Sequence, residues 1–515
     1  MLSPALELKN VVKYFHDIKA LDEVCLKIAP GSIHGIIGEN GAGKSTLLKV
    51  AYGLINPEHG QVFVDGVKVN IENPQHAIDS GIGMLHQTTS WLEHYSIIDN
   101  ILLGEYNGFF MSRKKAKARQ ELAQLCREFG FSFQLDMSMS QLDYSERQLV
   151  DILRSLYRGA KVLILDEPMA LLSPLQSNHL LDLLELLKMQ GISILIVAHK
   201  LSILHHICDV ISVMAHGKLV DNINPKEISL GYLSKLMVGR EITLPHPNNV
   251  VSDVDSSLRL KVSNLGIKQK SRLGTSRQSF SLSDIDFQVN SHEIVALTGL
   301  AKAGHEDLLA VLAGSKPFTH GRITVNGTRF KPSKQYDLKH ARELGIAYVP
   351  DPLTGEGIVG DFPLYETAIL GHHSTSFSTN VLHQKRHSQK QCQDMMREWD
   401  IRPNNPMLNT GALSGGNQQK LVLAREVSKA PQLLLMAHPS NGLDVGAIES
   451  VYQRLFKLRD SGTSIIFCSN DLDEIMSLSD RVILFERGQI IGQYYSQQLS
   501  KNDLSLMLAN EVVDA

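Results

Sequence analysis

The chain has 515 residues, about three times the usual size of a domain, so two or more hydrophobic cores are expected. With 43% hydrophobic and 20% charged residues, its composition is that of an ordinary globular protein and excludes a disordered or fibrous chain. The net charge of −3 gives no overall attraction to nucleic acid or acidic lipid, so binding must come from local sites.

The cysteines and the hydropathy of the sequence indicate the cellular compartment and whether the chain spans a membrane. The five cysteines are far apart and odd in number, which predicts neither a disulfide framework nor a zinc cluster and favours a reducing cytoplasm. No apolar run approaches the roughly 20 residues needed to span a bilayer, and the amino-terminal residues lack the apolar core of a signal peptide. Any membrane role is therefore expected to depend on partner subunits.

Near the amino terminus, an aromatic pair precedes the first core strand. Phe15, which follows Tyr14, could stack on the adenine of a nucleotide, and it is the residue that we favour for this role. Either ring could instead belong to the core.

A glycine-rich loop follows the first core strand. It reads G-E-N-G-A-G-K-S between a predicted strand and a predicted helix. Glycines let backbone N–H groups face an anion, while Lys44 neutralises phosphate charge and Ser45 can ligate Mg²⁺. A simple glycine turn would leave the Lys-Ser pair unexplained. The pattern predicts a nucleoside triphosphate site made by Gly38, Glu39, Asn40, Gly41, Ala42, Gly43, Lys44, Ser45 and Thr46.

A glutamine and an apolar segment come next. Gln87 follows an apolar strand and could reach the γ-phosphate or its water, although a lone glutamine there is ordinarily structural. Residues 88–110, immediately after it, are rich in aromatic and aliphatic side chains. They can form either a docking surface for a membrane subunit's helix or the core of a helical subdomain. Exposure of Trp91 and Tyr95 discriminates between the two.

Acidic residues end a later apolar strand. In LILDEP, Asp166 can reach the shell of a metal ion and Glu167 can polarise a water. Alone, such a pair is usually a helix cap or a solvated turn. The separation from Lys44 along the chain, together with the internal repeat, favours the catalytic interpretation. His199, at the end of another apolar strand, is a further candidate for contact with the γ-phosphate.

The chain is a tandem duplication. In both halves, short β-branched runs alternate with helical stretches, which predicts an α/β fold with a mainly parallel sheet covered by helices, twice over. A polar stretch with Pro, Asn and Asp separates the halves, so we predict domains at 1–243 and 258–515 and a linker at 244–257. The matching segments are 35–48 with 296–309, 163–168 with 434–439 and 194–204 with 465–475.

The second half replaces most of the chemically important residues. A cation, a metal-binding hydroxyl and both carboxylates of the first half are absent from the matching positions, so we expect poor triphosphate binding there. The replacements are His305 for Lys44, Glu306 for Ser45, Asp351 for Gln87, Ala437 for Asp166, His438 for Glu167 and Asn470 for His199.

A serine-glycine motif also distinguishes the halves, but here the second half has the motif and the first half has lost it. Residues 413–419 (LSGGNQQ) offer a hydroxyl and two glycine N–H groups ahead of a predicted helix, which makes an anion cradle. Alone, the motif would be read as a helix-capping loop. The matching residues of the first half, 142–146, read LDYSE, where acidic and bulky side chains would repel phosphate.

Together these motifs resemble the ATP-binding subunit of bacterial ABC importers that carry two fused nucleotide-binding domains, from residue 5 to about residue 495. The set of motifs is highly specific, and the sequences around them most resemble the ATPases of nucleoside or simple-sugar importers. In that family, residues 38–45 are the Walker A motif, Gln87 the Q-loop, Asp166 and Glu167 the Walker B motif, His199 the H-loop and residues 413–417 the signature.

The resemblance implies one working ATP site at the interface between the domains. ABC domains close head to tail, so the signature of the second half would cover ATP and Mg²⁺ held by the first, and the other site, which pairs His305 with Asp143, would be inactive. A weakened second Walker A motif is common in this family, whereas LDYSE is a departure. The implied catalytic residues are Lys44, Gln87, Glu167 and His199; the metal ligands are Ser45, Gln87 and Asp166; and Phe15, Ser414, Gly415 and Gly416 contact the nucleotide.

The implied partners are two membrane-spanning permease subunits and, through them, a solute-binding protein, at the cytoplasmic face of the inner membrane, with no nucleic acid. The solute stays open among nucleosides, simple sugars and vitamins such as riboflavin. A tandem ABC ATPase acting on ribosomes or nucleic acid is the main alternative, but it would need a basic arm longer than residues 113–119 and two intact sites. A regulator without turnover conflicts with the presence of Glu167 and His199.

Overall fold

The computed structural model contains two compact units, Met1–Ile242 and Thr243–Ala515. We call them the first and second units. The predicted site residues Gln87 and His199, and nearly all of the predicted linker, lie outside the residues that the structure describes. These described residues are 3–15, 18–85, 91–104, 111–169, 172, 174–198, 200–238, 257–269, 279–300, 303–332, 336–352, 354–371 and 381–510.

The first unit contains two sheets. An antiparallel sheet has the strand order β2-β1-β4-β5, and a six-stranded sheet has the order β10-β9-β3-β8-β7-β6. In the six-stranded sheet only β10 is antiparallel to its neighbour. The strands are β1 (Leu6–Phe15), β2 (Ile18–Ile28), β3 (Ile33–Ile37), β4 (His59–Val64), β5 (Val67–Val69), β6 (Ile82–Leu85), β7 (Val162–Asp166), β8 (Ser193–Val197), β9 (Val210–Ala215) and β10 (Lys218–Ile223).

Burial explains why the central strands read as continuous apolar runs. Every residue of β3, β7 and β8 is buried, as expected for parallel strands with both faces covered. The covering helices are α1 (Lys44–Ala51), α2 (Pro74–Asp79), α3 (Ile97–Ile101), α4 (Met111–Phe129), α5 (Tyr144–Tyr157), α6 (Pro174–Met189), α7 (Leu201–Ile207) and α8 (Leu230–Val238), with short 3₁₀ helices at Met139–Gln141 and Pro225–Glu227.

The second unit repeats this topology. Its sheets have the orders β12-β11-β14-β15 and β16-β17-β18-β13-β19-β20. The strands are β11 (Leu258–Gln269), β12 (Ser279–Asn290), β13 (Ile294–Gly299), β14 (His320–Val325), β15 (Thr328–Phe330), β16 (Ile346–Val349), β17 (Leu433–Ala437), β18 (Ser464–Cys468), β19 (Arg481–Glu486) and β20 (Gln489–Tyr495).

The helices of the second unit follow the same plan, with a carboxy-terminal helix that packs on α15. None of the described helices in either unit is both long and apolar enough to cross a membrane. The helices are α9 (His305–Leu312), α10 (Leu338–Glu343), α11 (Leu364–Thr367), α12 (Val381–Glu398), α13 (Gly415–Val427), α14 (Val445–Asp460), α15 (Leu472–Leu478) and α16 (Lys501–Asn510), with 3₁₀ helices at Thr410–Ala412 and Ser496–Gln498.

The α/β class predicted for both halves is confirmed. The antiparallel sheet of each unit was not part of the prediction, because its long strands mix charged and apolar residues. The duplication extends to unusual backbone angles: Gly43 and Gly304 both have φ near 104° immediately before the first helix of their unit, and Glu167 and His438 have φ of 52° and 47° after β7 and β17.

Candidate nucleotide site

The phosphate loop of the first unit connects β3 to α1. Gly41 and Gly43 adopt left-handed φ angles of 84° and 104°, which favour glycine. A Cβ on Gly43 would come within 2.6 Å of the backbone oxygen of Ala20, so close packing also requires glycine there. The backbone therefore turns sharply just before the amino terminus of α1, where N–H groups are available to an anion.

Lys44 is the first residue of α1 and is only 6% exposed. Its Nζ donates hydrogen bonds to the backbone oxygens of Gly38, at 2.6 Å, and Glu39, at 3.0 Å. The loop therefore holds its cation among its own carbonyl groups. An ammonium in this position can neutralise the terminal phosphates of a nucleotide.

The next residue of α1 meets the end of β7. The Ser45 hydroxyl donates to Asp166 Oδ1 at 3.4 Å, although 121 positions separate the two residues. Burial, reinforced by the neighbouring charge of Glu167, raises the pKa of the Asp166 carboxyl above its usual value. A hydroxyl and a buried carboxylate placed together fit Mg²⁺, which prefers oxygen ligands.

Glu167 follows at the sheet edge in a left-handed conformation, with φ of 52°, which is uncommon outside glycine. Its N–H donates to the backbone oxygen of Val197, at 2.9 Å, and this bond stabilises the turn. His438 has the same conformation and donates in the same way to Cys468, so the turn belongs to the fold of both units. Only the first unit has a carboxylate on it.

Phe15 and Tyr14 lie at the end of β1 and are each 42% exposed. Neither ring therefore belongs to the core, which was the alternative to stacking. Lys13 Nζ lies 5.7 Å from the centroid of the Phe15 ring, and Lys19 Nζ lies 5.8 Å from that of Tyr14. Exposed aromatic rings of this kind are available for stacking.

At the matching loop of the second unit, His305 takes the place of Lys44. The imidazole is 1% exposed, lies 6.3 Å from the Phe485 ring, and neither nitrogen has a hydrogen-bond partner. Burial lowers its pKa to about 4, so it is neutral near pH 7. The cation of the first loop is thus replaced by an uncharged ring that faces the core.

The metal position is altered as well. His438 Nε2 lies 3.2 Å from Glu306 Oε1, and Ala437 ends β17 without a ligand atom. Burial alone would lower the pKa of His438, but the hydrogen bond to Glu306 and the negative charge of Asp351 raise it. The same hydrogen bond lowers the pKa of Glu306. The side chains at the positions of Ser45 and Glu167 therefore pair with each other in the second unit.

The two signature positions also differ in structure. In the first unit, Asp143 caps α5: its carboxylate accepts from the N–H of Glu146, whose side chain accepts in return from the N–H of Asp143. This capping box satisfies the helix end with an internal anion. In the second unit, Ser414 precedes α13 without capping it, Ser414 and Gly415 are exposed, and a Cβ on Gly415 would meet nothing within 4 Å. Only this helix start is open to an external anion.

The described part of the segment after Gln87 has both exposed side chains and a buried face. Trp91 is half-buried with its ring 4.7 Å from the guanidinium of Arg154, and Tyr95 is 56% exposed. Leu92 and Leu103 are exposed too. The inner face of α3 is core, with Ile97, Ile98 and Ile101 fully buried.

One contact of the first unit was not predicted from the sequence. The Glu58 carboxylate accepts from Lys13 Nζ, at 2.8 Å, and from the N–H of Tyr14, at 2.9 Å. Glu58 lies in an unremarkable polar stretch (NPEHG), and comparison with Thr319, its counterpart in the second half, is the only sequence signal that would have drawn attention to it.

The sequence of this chain is similar to those of several known proteins. The sequence model of the ABC transporter family matches residues 21–170 and 282–441, one stretch in each unit. The chain is 34% identical over 506 residues to the guanosine import ATP-binding protein NupO of Bacillus subtilis, covering 98% of this chain and 97% of that protein. It is 30% identical over 505 residues to the galactose/methyl galactoside import ATP-binding protein MglA of Clostridium perfringens, covering 98% and 95%.

A solved structure of the RNase-L Inhibitor aligns with a TM-score of 0.62 over 98% of this chain and 93% of that one. At 17% identity this likeness shows the fold alone. The family match in both units, the full-length relatives and the geometry of the phosphate loop lead to one conclusion. The chain belongs to the ABC transporter family and carries two ABC domains in tandem.

Proposed function

We propose that this chain is the ATPase subunit that energises import of a small solute. The observation that carries the proposal is the assembly in the first unit of Lys44, Ser45 and Asp166 around one phosphate loop. Relatives that match nearly the whole chain are ATP-binding proteins of importers, which supports coupling to transport rather than a role on nucleic acid.

The first unit performs hydrolysis. Lys44 and the loop N–H groups bind the phosphates, and Ser45 and Asp166, with Gln87, hold Mg²⁺. Mg²⁺ supplies charge neutralisation at the phosphate oxygens. Glu167 orients the attacking water, His199 contacts the terminal phosphate, and Phe15 stacks on the base.

The second unit serves as an activator without turnover of its own. At the position of Lys44 its loop has a buried neutral imidazole, and Glu306, at the position of Ser45, is paired with His438. Its contribution is the signature, Ser414, Gly415 and Gly416, of which Ser414 and Gly415 are exposed at the start of α13 and available to a phosphate.

The partners that we propose are two membrane-spanning permease subunits and, through them, a solute-binding protein, with the chain peripheral at the cytoplasmic face of the inner membrane. Exposed Tyr95, Leu92 and Leu103 support docking of a permease segment on the first unit. The solute class is a nucleoside or a simple sugar, since relatives act in guanosine and galactose import. Transport assays with the co-purifying membrane subunits, comparing labelled guanosine, galactose and riboflavin, test this class.

The one-site proposal is tested by matched substitutions in the two phosphate loops. Lys44→Ala should lower ATP turnover by about a thousandfold or more, because it removes the cation at the phosphates. His305→Ala, at the same place in the second loop, should leave at least about half of the turnover, since that loop has no catalytic groups. Steady-state phosphate release by the purified chain is the measurement.

A third variant separates binding from chemistry. Glu167→Gln should retain ATP binding, measured by equilibrium dialysis, while phosphate release falls by about two orders of magnitude or more. Equal losses in Lys44→Ala and His305→Ala would contradict a single hydrolytic site, and undiminished release by Glu167→Gln would remove Glu167 from the chemistry.

A further inference from the structure

The end of β1 extends beyond the strand that supports it. The last backbone pair between β1 and β4 joins Val12 to His59, whereas β1 continues to Phe15. Past Val12, β2, on the other side, is the only one of the described strands with which β1 pairs. The exposed aromatic pair, Tyr14 and Phe15, therefore lies on a strand end that lacks backbone support on one edge.

The side chain of Glu58 supplies that support. Glu58 directly precedes β4, and its own N–H donates to the backbone oxygen of Val12 at 2.9 Å. Its carboxylate then reaches along β1: one oxygen accepts from Lys13 Nζ and the other from the N–H of Tyr14. Lys13 also donates to the backbone oxygen of Asn56, at 2.8 Å. We call Glu58 and Lys13 the strand-end clamp.

The clamp and the aromatic residue occur together. Register places Gly266 opposite His320 in the second unit, as Val12 is opposite His59 in the first, so Glu58 corresponds to Thr319 and Phe15 to Gln269. Thr319 Oγ1 accepts from the N–H of Lys268 and donates to Gly266, without an ion pair. The unit that lost its catalytic loop residues therefore has neither a carboxylate clamp nor an aromatic residue at these positions.

We propose that Glu58 is a positioning residue for the nucleotide base: it holds the end of β1 so that Phe15 forms a fixed stacking platform. This inference rests on the proposed role of Phe15. A bond to a backbone N–H restrains the main chain next to Phe15, and the Glu58–Lys13 pair holds Lys13 5.7 Å from the centre of the Phe15 ring. A fixed aromatic ring loses less conformational entropy when a base stacks on it.

Kinetics with two ligands test the inference. The KM for ATP of the full chain is measured for Phe15→Ala, Glu58→Ala, Glu58→Gln and the double variant, together with the inhibition constant of inorganic tripolyphosphate, which lacks a base. Phe15→Ala should raise KM about fivefold or more, as expected for loss of one base stack. Glu58→Ala should raise it about threefold with kcat nearly unchanged.

The controls separate positioning from folding. Glu58→Gln keeps an oxygen acceptor for the Tyr14 N–H and should recover part of the loss. In the double variant, KM should not exceed that of Phe15→Ala, because Glu58 acts through the ring. The inhibition constant of tripolyphosphate should not change in any of these variants, and Thr319→Ala, the matched change in the second unit, should leave both constants unaltered.

The two proposals can fail separately. An unchanged KM in Phe15→Ala would end the stacking role and, with it, the reason for the clamp. A raised KM in Phe15→Ala with an unchanged KM in Glu58→Ala would overturn the clamp alone. A parallel rise in the tripolyphosphate constant of Glu58→Ala, or additive effects in the double variant, would assign Glu58 to general structure and also overturn the inference.

Discussion

His305 replaces a predicted phosphate-binding lysine without changing the fold around it. It occupies the helix position of the phosphate-loop lysine, but its ring is buried near Phe485 and its nitrogens have no partners. An imidazole in such surroundings is costly, because each unsatisfied polar group loses its hydration. The second unit therefore retains a residue that helps neither phosphate binding nor stability.

Substitution of His305 by an apolar residue should stabilise the protein. At pH 7, His305→Leu should raise the free energy of unfolding by about 1–3 kcal/mol, since it removes two unpartnered buried nitrogens. Calorimetry of the full chain measures the change. An unchanged or lower melting temperature would mean that the imidazole is satisfied by water or that leucine does not fit.

The difference in stability between His305→Leu and the parent protein should also increase at acidic pH. The pKa of folded His305 is lowered to about 4, whereas an unfolded histidine has a pKa near 6.5, so the unfolded chain binds more protons between these values. Stability of the parent therefore falls as pH decreases from about 6.5 to about 4, by up to roughly 1.4 kcal/mol per pH unit from this group. Urea unfolding at pH 5 and 7 measures the difference, and an equal advantage at both would contradict the shift.

Helices α5 and α13 begin at matching positions of the two units, but their amino termini are capped differently. The first is closed by the capping box between Asp143 and Glu146, while Ser414 makes no side-chain cap and its hydroxyl accepts from Asn417, at 3.0 Å. An internal carboxylate stabilises the amino terminus of α5 but excludes a phosphate. The exposed start of α13 gives up that stabilisation and stays accessible to a ligand.

Substitution at these two helix starts should therefore have opposite effects. Asp143→Ala should lower the free energy of unfolding by about 0.5–2 kcal/mol, through loss of the cap, and leave ATP turnover nearly unchanged. Ser414→Ala should change stability by less than about 0.5 kcal/mol but reduce turnover about tenfold or more. Denaturant titration and phosphate release are measured on both variants. The reverse pattern would contradict the assignment of the signature to the second unit.

In the molecule as a whole, a duplicated fold carries what we propose is a single set of catalytic groups. Both units keep the strand order, the turn at Glu167 and His438, and the glycine before the first helix. Packing preserves these features in each unit, because they determine how the sheet and helices fit together. Phosphate and metal binding depend on a few side chains that can change without disturbing the packing.

Nucleotide should accordingly stabilise the two loops unequally. With Glu167→Gln, saturating ATP and Mg²⁺ should slow hydrogen exchange in Lys44–Ala51. A ligand at a hundred times its dissociation constant adds about 2.7 kcal/mol to the free energy of unfolding of the protein that binds it. Exchange in His305–Leu312 should change much less. Mass spectrometry of the two peptides measures both, and equal protection would indicate nucleotide in both loops.

From the sequence alone we could predict the duplication, the α/β class, the phosphate loop, the acidic pair at the end of β7 and the replacement of the matching residues in the second half. These features are contiguous patterns whose chemistry follows from residue type and spacing. The folded structure was needed to show which distant groups meet: the side chains of Ser45 and Asp166, those of Glu306 and His438, and the Glu58 carboxylate with the backbone N–H of Tyr14. Such pairs depend on register between strands and on burial, which are properties of the folded chain, and the exposure of Phe15 follows from the same packing.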